Sequence, residues 1–538
     1  MILFAVSIGI YSYIIFALGL FSLLYPNIIL SVSILYLIVI AFFKKNLLLS
    51  YIKNNGKISL KKLSINKITL FIITLFILQI IINLIGALGP ELAIDALWYH
   101  LTLPKIYLIS HKISHIPGTL FYYSDMPKLT EMIYTAILSF SNEIFVKLAH
   151  LSFGLLTCVV LYKISRKYFS QKSSLICIVI FYSSLVVGWE SITAYIDLSR
   201  TFFEAMALWC YLNWVENNEK KWLIRLAVMS GFAISAKLLS LGSLLIFSVL
   251  IIYHLIKRKK QIKNFIIDLF FYWFISLLVS LPWFIFSYTN TGNPVYPFFT
   301  NLYKTEFDLN FLNPLNFIKD TWQIFVNSAD PISPIYILFF PLTVLFLSKI
   351  NKKIYPIIIY SIFAYLIWYF TPRSGGGRFI MPYLPAFSLV ALATLNAVNI
   401  KFIKNLGIIM IFFSIIVSIF YRGTANARFL PVIMGKETKD DFLTQKLNFE
   451  FGNFYDTDGY FRNNIKSQDK VLLYGFHELY YIDFPFIDSS WIKIGDKFNY
   501  IAVQKGTIPN KFKDWKLIYK NPVTNVKLYS LGGKEWVY

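Results

Sequence analysis

Long apolar stretches alternate with short polar loops along this 538-residue chain as far as residue 421. A helix that crosses a bilayer needs roughly 20 mostly apolar residues. The pattern predicts about thirteen spanning helices, at residues 3–24, 26–43, 68–88, 143–164, 174–188, 200–216, 222–236, 239–256, 264–286, 332–348, 354–370, 378–398 and 406–421. Beyond residue 421 the apolar runs shorten and alternate with turns. There the pieces VLLYGF, YIAV, WKLIY and VKLYSL predict strands of a small α/β domain over 422–538.

Composition agrees with a membrane protein. Hydrophobic residues make up 57% of the chain and charged residues 15%, whereas a soluble domain is about 45–50% apolar. The three cysteines all lie in apolar stretches, so no disulfide framework is predicted for the C-terminal domain. The first apolar stretch lacks a basic leader and a cleavage site, which favours a retained helix. The predicted fold class is an all-α polytopic membrane protein with a C-terminal α/β domain.

The charge distribution predicts a topology. The net charge is +23, but Lys and Arg gather in alternate loops between the apolar stretches, as expected for cytoplasmic loops and not for a nucleic-acid-binding surface. The other loops, at about 89–142, 189–200, 287–330 and 371–377, are richer in acids and are predicted to face outward. The N-terminus is then predicted to lie on the cytoplasmic side of the cytoplasmic membrane and the C-terminus on the outer side. We divide the chain into residues 1–67 (two N-terminal helices and a basic loop), 68–421 (a membrane core) and 422–538 (the outer domain).

The first outer loop holds the strongest candidate for chemistry. It begins ELAIDALWYHL, so Asp95 follows the end of a predicted membrane helix, beside Glu91, Tyr99 and His100. An ionised carboxylate costs about 2.5–3.5 kcal/mol at the centre of a bilayer, and this position avoids most of that cost. Asp95 fits a general base in a pocket at the interface, or alternatively the N-cap of the helix that follows.

Three further outer loops offer binding residues. Glu190 and Asp197 are seven residues apart, so on one helix they would share a face and could bind sugar hydroxyls or a divalent cation, or simply be solvated. Lys237 is nearly alone in an apolar stretch and could meet a lipid phosphate where the chain turns outside. Asn293 and Tyr296 belong to a turn-rich rim, TNTGNPVYPF.

The fourth outer loop has the chemistry of an anion site. In PRSGGGRF, Arg373 and Arg378 flank three glycines. Glycines let backbone N–H groups approach an anion, and arginine binds phosphate with two parallel hydrogen bonds. A second metal candidate, His111 and His115 at a helical spacing of four, has no third ligand nearby and is weak.

Five segments, in order, resemble the integral-membrane glycosyltransferases of superfamily C, most closely the protein O-mannosyltransferase and aminoarabinose-transferase group. They are IDALWYHLTLPKIYL, TAYIDLSRTFF, PWFIFSYTNTGNPVYPF, GGGRFIMPYLPAF and VLLYGFHELYYIDFP. The resemblance implies that Asp95 is the catalytic acid of the first loop, that Asp197 is a second acid and that Arg378 precedes the late helix. Some family members have an Asp-Glu pair where this chain has Asp95 and Ala96. The candidate substrate-binding residues are Glu91, Tyr99, His100, Lys105, Glu190, Asp197, Lys237, Asn293, Tyr296, Arg373 and Arg378.

The resemblance implies a glycosyltransferase that takes a sugar from a polyprenyl-phosphate donor and passes it to a glycan, lipid or protein hydroxyl at the outer face of the cytoplasmic membrane. Asp95 would act as the base in a direct displacement. We assign no metal ligands and no certain cofactor, although a divalent cation stays open. Two alternatives also stay open: a flippase for lipid-linked saccharides, although such proteins usually place charges near the bilayer midplane, and a polymerase or ligase that uses a diphosphate-linked donor.

Overall fold

The computed structural model describes residues 1–55, 66–258, 262–303, 309–327, 331–371, 376–532 and 534–538. The α-helices of the membrane part are α1 (Ile2–Leu20), α2 (Pro26–Asn55), α3 (Lys67–Leu88), α4 (Thr102–Ser110), α5 (Leu129–Leu138), α6 (Glu143–Ser165), α7 (Gln171–Tyr182), α8 (Leu185–Glu190), α9 (Asp197–Asn217), α10 (Lys220–Ala236), α11 (Leu241–Lys257), α12 (Ile262–Thr291), α13 (Pro314–Trp322), α14 (Pro334–Leu345), α15 (Tyr355–Phe370), α16 (Leu384–Ala397) and α17 (Lys401–Ala427).

Every predicted span overlaps one of these helices, so the predicted helical membrane fold is confirmed. Within the described ranges, eight helical stretches are long and apolar enough to cross a membrane. They comprise α1, α2, α3, α6, α11, α12, α15 and α17, with a short 3₁₀ turn in front of α11 and α15. The other five predicted spans coincide with helices that are shorter or more polar. One of them, 174–188, is divided between α7 and α8 where the hydroxyls of Ser183 and Ser184 hydrogen-bond the carbonyls of Val179 and Ile180.

The first loop, between α3 and α6, is ordered by short helices. A π-helical turn, Ala96–His100, leads into α4, and a 3₁₀ turn, Tyr122–Asp125, leads into α5. The predicted interfacial helices are therefore present, but the first one ends at Ser110. His111 has a left-handed φ of 55°, so the expectation that His111 and His115 share a helix face is wrong. Instead His111 stacks on Tyr25 with ring centroids 3.8 Å apart.

The second loop also differs from its prediction. Glu190 is the last residue of α8, whereas Asp197 is the first residue of α9. The turn between them includes Ser191 and Thr193, whose hydroxyls donate to the carbonyls of Val187 and Glu190. Such local hydrogen bonds compete with continuation of a helix. The two acids consequently do not lie on one helical face.

The C-terminal part is the predicted small domain with a sheet. Its helices are α18 (Leu430–Ile433), α19 (Lys439–Lys446) and α20 (Tyr460–Asn464), and its strands are β1 (Val471–Tyr474), β2 (Phe486–Asp488), β3 (Lys497–Phe498), β4 (Tyr500–Val503), β5 (Lys516–Lys520), β6 (Lys527–Ser530) and β7 (Trp536–Val537). The main sheet has the order β2-β1-β4-β6-β5. In it β2, β1 and β4 are parallel, and β6 and β5 are antiparallel to their neighbours.

The sheet packs directly on the first loop. Leu103, Tyr107 and Phe121 of that loop share one buried apolar cluster with Val471 and Leu473 of β1. At the edge of this contact, Gly118 has a φ of 92°, and a Cβ placed there would come within 1.9 Å of the Ser490 carbonyl oxygen. Only glycine allows so close an approach together with a positive φ. The C-terminal domain therefore covers the loop that carries Asp95.

Candidate active site

Asp95 is held by two side chains from different parts of the fold. Arg378 Nη2 lies 2.6 Å from Asp95 Oδ2, and the Tyr99 hydroxyl donates to the same oxygen at 3.1 Å. The Asp95 side chain makes no capping hydrogen bond to the turn that follows it. The N-cap alternative therefore does not describe this residue, whose carboxylate faces an arginine from the far end of the membrane core.

The environment keeps Asp95 ionised. Burial by itself would raise the pKa of the Asp95 carboxyl, but the Arg378 guanidinium, with His100 and Lys237 further away, outweighs burial and holds the pKa below its ordinary value. The two partners are nearly equally sheltered, with 15% of the Asp95 side chain and 14% of the Arg378 side chain exposed. A carboxylate that is negative at neutral pH can accept a proton or a hydrogen bond from a hydroxyl.

A second ion pair lies next to the first. Lys237 caps the C-terminus of α10, and its ammonium lies 2.6 Å from Asp197 Oδ1 at the start of α9. The same ammonium lies 4.7 Å from the centre of the Phe379 ring, beside Arg378. The predicted turn at Lys237 is therefore present, and two cations and two acids meet at one place.

The two cations of these pairs line a cavity with about 710 Å³ of empty space, counting its open mouth, whereas Asp95 and Asp197 pair with those cations and are not among the lining residues. Four predicted residues line it: Tyr99, His100, Lys237 and Arg378. The remaining lining residues are Tyr123, Met126, Pro127, Lys128, Glu131, Ile196, Ala236, Leu238, Leu239, Phe298, Tyr303 and Phe379. Apolar walls with a few convergent polar groups are typical of a site for a small amphiphilic molecule.

Two charged lining residues were not among the sequence candidates. Glu131 Oε1 lies 2.8 Å from His100 Nδ1, and both side chains are buried. Burial lowers the pKa of the Lys128 ammonium to about 8, and this ammonium donates to the carbonyls of Tyr123 and Met126. In the sequence both residues look like ordinary polar positions of an amphipathic helix. The one available signal is their place in FYYSDMPKLTEM, a few residues after three consecutive aromatic residues.

The structure places two predicted acids away from the cavity. The Glu91 carboxylate accepts hydrogen bonds from the backbone N–H groups of Leu92 and Ala93 at 2.8 Å and of Ala194 at 2.6 Å. It thus joins the first loop to the second. Glu190 is buried, with Oε2 lying 4.0 Å from His150 Nε2.

Three other candidates also lie outside the cavity lining. The Lys105 ammonium contacts the C-terminal domain, at 2.7 Å from the carbonyl oxygens of Tyr480 and Ile482. Asn293 donates to the carbonyl of Phe298 at 2.8 Å, so it shapes the loop that brings Phe298 to the cavity wall. Tyr296 lies in that same loop.

The candidate Arg373 falls outside the described residues. Within the described part of the chain, no group of three or more His, Cys, Asp or Glu side chains is arranged to hold a metal ion.

Comparison with known proteins identifies the fold that carries this site. Residues 126–286 match the family described as dolichyl-phosphate-mannose-protein mannosyltransferase. The crystal structure of ArnT from Cupriavidus metallidurans in the apo state is similar to this chain with a TM-score of 0.56 and 9% sequence identity, covering 86% of this chain and 98% of that one. The chain has the fold of a superfamily C membrane glycosyltransferase.

The same ArnT bound to undecaprenyl phosphate gives a TM-score of 0.52 and 12% identity over 87% of this chain and 98% of that one. No curated protein sequence matches the chain. The similarity therefore extends over nearly the whole ArnT chain at very low sequence identity. The predicted resemblance is confirmed in the fold and in the matched segment, which holds α5 to α11, most of α12, Asp197 and Lys237.

Proposed function

We propose that this chain is a glycosyltransferase that moves a sugar from a polyprenyl-phosphate-linked donor to an acceptor hydroxyl at the outer face of the cytoplasmic membrane. One observation carries the proposal: the Asp95 carboxylate lies 2.6 Å from Arg378, which lines a cavity together with Lys237. A base and two cations close to one cavity match the needs of a reaction in which a hydroxyl attacks and a phosphate leaves.

The similar proteins support the choice of donor. One ArnT structure holds undecaprenyl phosphate, and the description of the matched family names a dolichyl-phosphate sugar. A phosphate leaving group is stabilised by nearby positive charge. This stabilisation is larger where water is excluded. Arg378 and Lys237 supply that charge, and the neighbouring Phe379 and Leu239 offer apolar surface for the first part of a polyprenyl chain.

The chemistry is a single displacement at the anomeric carbon of the donor sugar. The acceptor oxygen forms the new bond to that carbon while the bond from the carbon to the phosphate oxygen breaks. The hydroxyl proton passes to the Asp95 carboxylate, and the electron pair of the broken bond stays on the polyprenyl phosphate, beside Arg378 and Lys237. One displacement from the opposite side inverts the anomeric centre.

The two ion pairs prepare the site for this charge movement. Without a donor, Arg378 neutralises Asp95 and Lys237 neutralises Asp197. A phosphate that enters competes for both cations, because arginine and lysine bind phosphate with charge-assisted hydrogen bonds. Competition weakens the hold of Arg378 on Asp95 and makes that carboxylate a better proton acceptor only when the donor is bound.

Loop charge supports the proposed orientation. The loops predicted to be cytoplasmic carry the clustered Lys and Arg, whereas the loops that meet at the cavity carry Asp95 and Asp197. The C-terminal domain packs on the first of these loops. We therefore propose that the cavity and the domain over residues 422–538 share the outer side, and that 68–421 forms the membrane core.

The test is transfer from an undecaprenyl-phosphate sugar by Asp95→Asn in lipid nanodiscs. Asparagine keeps the shape but is a far weaker base, and loss of general-base catalysis typically costs about 10²–10⁴-fold. We expect a loss in that range with undecaprenyl-phosphate binding retained. Asp458→Asn, an exposed aspartate of the C-terminal domain that accepts from Tyr519, is the matched control and should transfer normally. Near-normal turnover of Asp95→Asn would remove Asp95 from the catalytic role, and lipid movement without a new glycosidic bond would favour a flippase.

A further inference from the structure

The chain that follows strand β1 contacts the first loop. β1 and β4 pair in register from Val471–Tyr500 to Tyr474–Val503. Within the sheet, β2 lies on one side of β1 and β4 lies on the other side of β1. In open α/β sheets, ligands bind outside the carboxyl ends of the strands at such a reversal of strand order. We refer to the surface formed beyond the end of β1 by Trp98, Phe451 and His477 as the crevice.

His477 follows the end of β1 at this crevice. Its ring lies against Trp98 with centroids 4.3 Å apart and against Phe451 at 5.3 Å, and 29% of its side chain is exposed. Trp98 belongs to the turn that carries Tyr99, whose ring centroid is 5.2 Å away. Two ring contacts therefore connect the imidazole to the tyrosine that hydrogen-bonds Asp95.

Glu478 lies directly behind this imidazole. Only 1% of its side chain is exposed, and its Oε1 is 3.7 Å from His477 Nδ1. Among the residues that the structure describes, neither carboxylate oxygen has a hydrogen-bond partner. Burial raises the pKa of the Glu478 carboxyl, and the negative charge of Asp95 adds to this effect, while His477 and Lys505 oppose it.

A buried carboxylate without hydrogen bonds destabilises a fold. At this position it has one clear benefit, since a carboxyl group behind Nδ1 orients the ring and leaves Nε2 available to a ligand. The partly exposed imidazole also contacts two aromatic rings. A sugar ring presents hydroxyl groups beside an apolar C–H face. It therefore matches such a surface better than an extended peptide backbone does.

We propose that this crevice is the acceptor subsite, in which His477 hydrogen-bonds a hydroxyl of a saccharide acceptor and Glu478 is a positioning residue for His477. The proposal deepens the proposed transferase function and rests on it. An acceptor saccharide bound at His477 extends past Trp98 and brings another of its hydroxyls to Asp95. The C-terminal domain then completes the active site instead of only covering it.

The test measures binding, so that it does not depend on turnover. Protein in nanodiscs is titrated with mannotriose, chitobiose and lactose as saccharide probes, with a heptapeptide containing Ser and Thr, and with undecaprenyl phosphate. We expect at least one saccharide to bind, and His477→Ala to weaken that binding at least tenfold with undecaprenyl-phosphate affinity unchanged. The matched control is His111→Ala, since His111 also stacks on an aromatic ring but lies away from the crevice.

Glu478→Gln separates positioning from folding. It keeps the side-chain shape and removes a buried charge, so the unfolding temperature should stay level or rise. Saccharide binding should weaken about threefold, and the ¹⁵N chemical shifts of the His477 ring nitrogens should change, because the group behind Nδ1 is different. A purely structural role for Glu478 would leave those chemical shifts unchanged.

Any of three results would overturn the proposal. His477→Ala could bind the saccharide as tightly as the wild-type protein does, the wild-type protein could bind none of the three saccharides, or it could bind only the heptapeptide. Asp95→Asn distinguishes the two proposals, because it should lose transfer and still bind the saccharide. Transfer lost in Asp95→Asn together with unchanged saccharide binding in His477→Ala would leave the proposed function standing and remove the acceptor subsite.

Discussion

At the scale of single residues, the proposed site rests on two ion pairs whose cations a phosphate would compete for. Asp95 and Asp197 each have a cation at 2.6 Å. Pairs of this kind stabilise the fold around the site, because a buried charge without a partner is strongly destabilising. The same cations are then available to a phosphate, so substitutions must be designed to separate loss of folding from loss of binding.

Lys237→Met tests the second cation. A hydrogen bond to a charged group contributes about 1.5–3 kcal/mol, so undecaprenyl-phosphate affinity should fall about 10–100-fold. Because the single variant leaves Asp197 unpaired, the double variant Lys237→Met with Asp197→Asn should recover the unfolding temperature but not the affinity. Recovery of affinity in the double variant would show that Lys237 acts only through folding. Lys167→Met, which breaks the ion pair with Glu216 outside the cavity, should leave affinity unchanged.

Lys128 predicts a pH dependence. Burial lowers the pKa of its ammonium to about 8, so the cavity loses a positive charge as pH rises from 7 to 9. One pKa unit of coupling between this ammonium and a bound phosphate corresponds to about 1.4 kcal/mol, and undecaprenyl-phosphate affinity should therefore fall up to about tenfold over that interval. Lys128→Arg stays charged and should remove the fall. A parallel decline in the wild type and in Lys128→Arg would assign it to another group.

At the scale of elements, the membrane helices could be predicted because a long apolar run admits few alternatives. Each of the thirteen predicted spans overlaps a helix, but the break at Ser183 and Ser184 inside the predicted span 174–188 could not be foreseen, since FYSSLV contains neither Gly nor Pro. Strand β2, only three residues long, is likewise too short for a visible alternation. The local pattern of apolar and polar residues predicts long helices. It does not predict helix breaks that depend on side-chain hydrogen bonds.

The same limit applies to the site. Asp95, Lys237 and Arg378 could be chosen as candidates from the sequence, because each is a charge within or next to a long apolar stretch and ionisable residues in such stretches are candidates for function. Their pairing could not be predicted, because Arg378 and Asp95 come together only through the packing of the helices between them. Glu131 was missed for a related reason: a glutamate in a short amphipathic helix is ordinary until packing buries it against His100.

Glu91 joins two loops, and this gives a prediction about elements. Its carboxylate accepts three backbone N–H groups from the first and second loops. A buried donor left without a partner costs about 1–3 kcal/mol, so Glu91→Ala should reduce the free energy of unfolding by about 3 kcal/mol, and Glu91→Gln by less. Thermal unfolding in nanodiscs measures both. Glu216→Gln removes a half-exposed acid paired with Lys167 and should change stability by less than about 1 kcal/mol.

At the scale of the whole molecule, the C-terminal domain and the first loop behave as one unit. They share a buried apolar cluster, and the backbone N–H of Tyr480 donates to the carbonyl of Leu97 at 3.3 Å. The Tyr481 hydroxyl donates to the carbonyl of Glu91 at 2.9 Å. A movement of this domain would therefore also move the turn between Asp95 and His100. The membrane core and the domain are linked at the proposed active site.

Lys105 is the strongest polar link between the two parts. From α4 its ammonium reaches two carbonyl oxygens at 2.7 Å and Asp483 Oδ1 at 2.9 Å, directly after the segment that holds His477. Lys105→Met should therefore speed amide exchange over residues 477–483, and it should weaken acceptor use more than donor binding. Lys112→Met, an exposed lysine of the same loop, should do neither. The opposite result would be unchanged amide exchange together with weaker undecaprenyl-phosphate binding. In that case the Lys105 ammonium would not hold the C-terminal domain in place but would act on the donor, and Lys105 would be the substrate-binding residue that the sequence alone predicts.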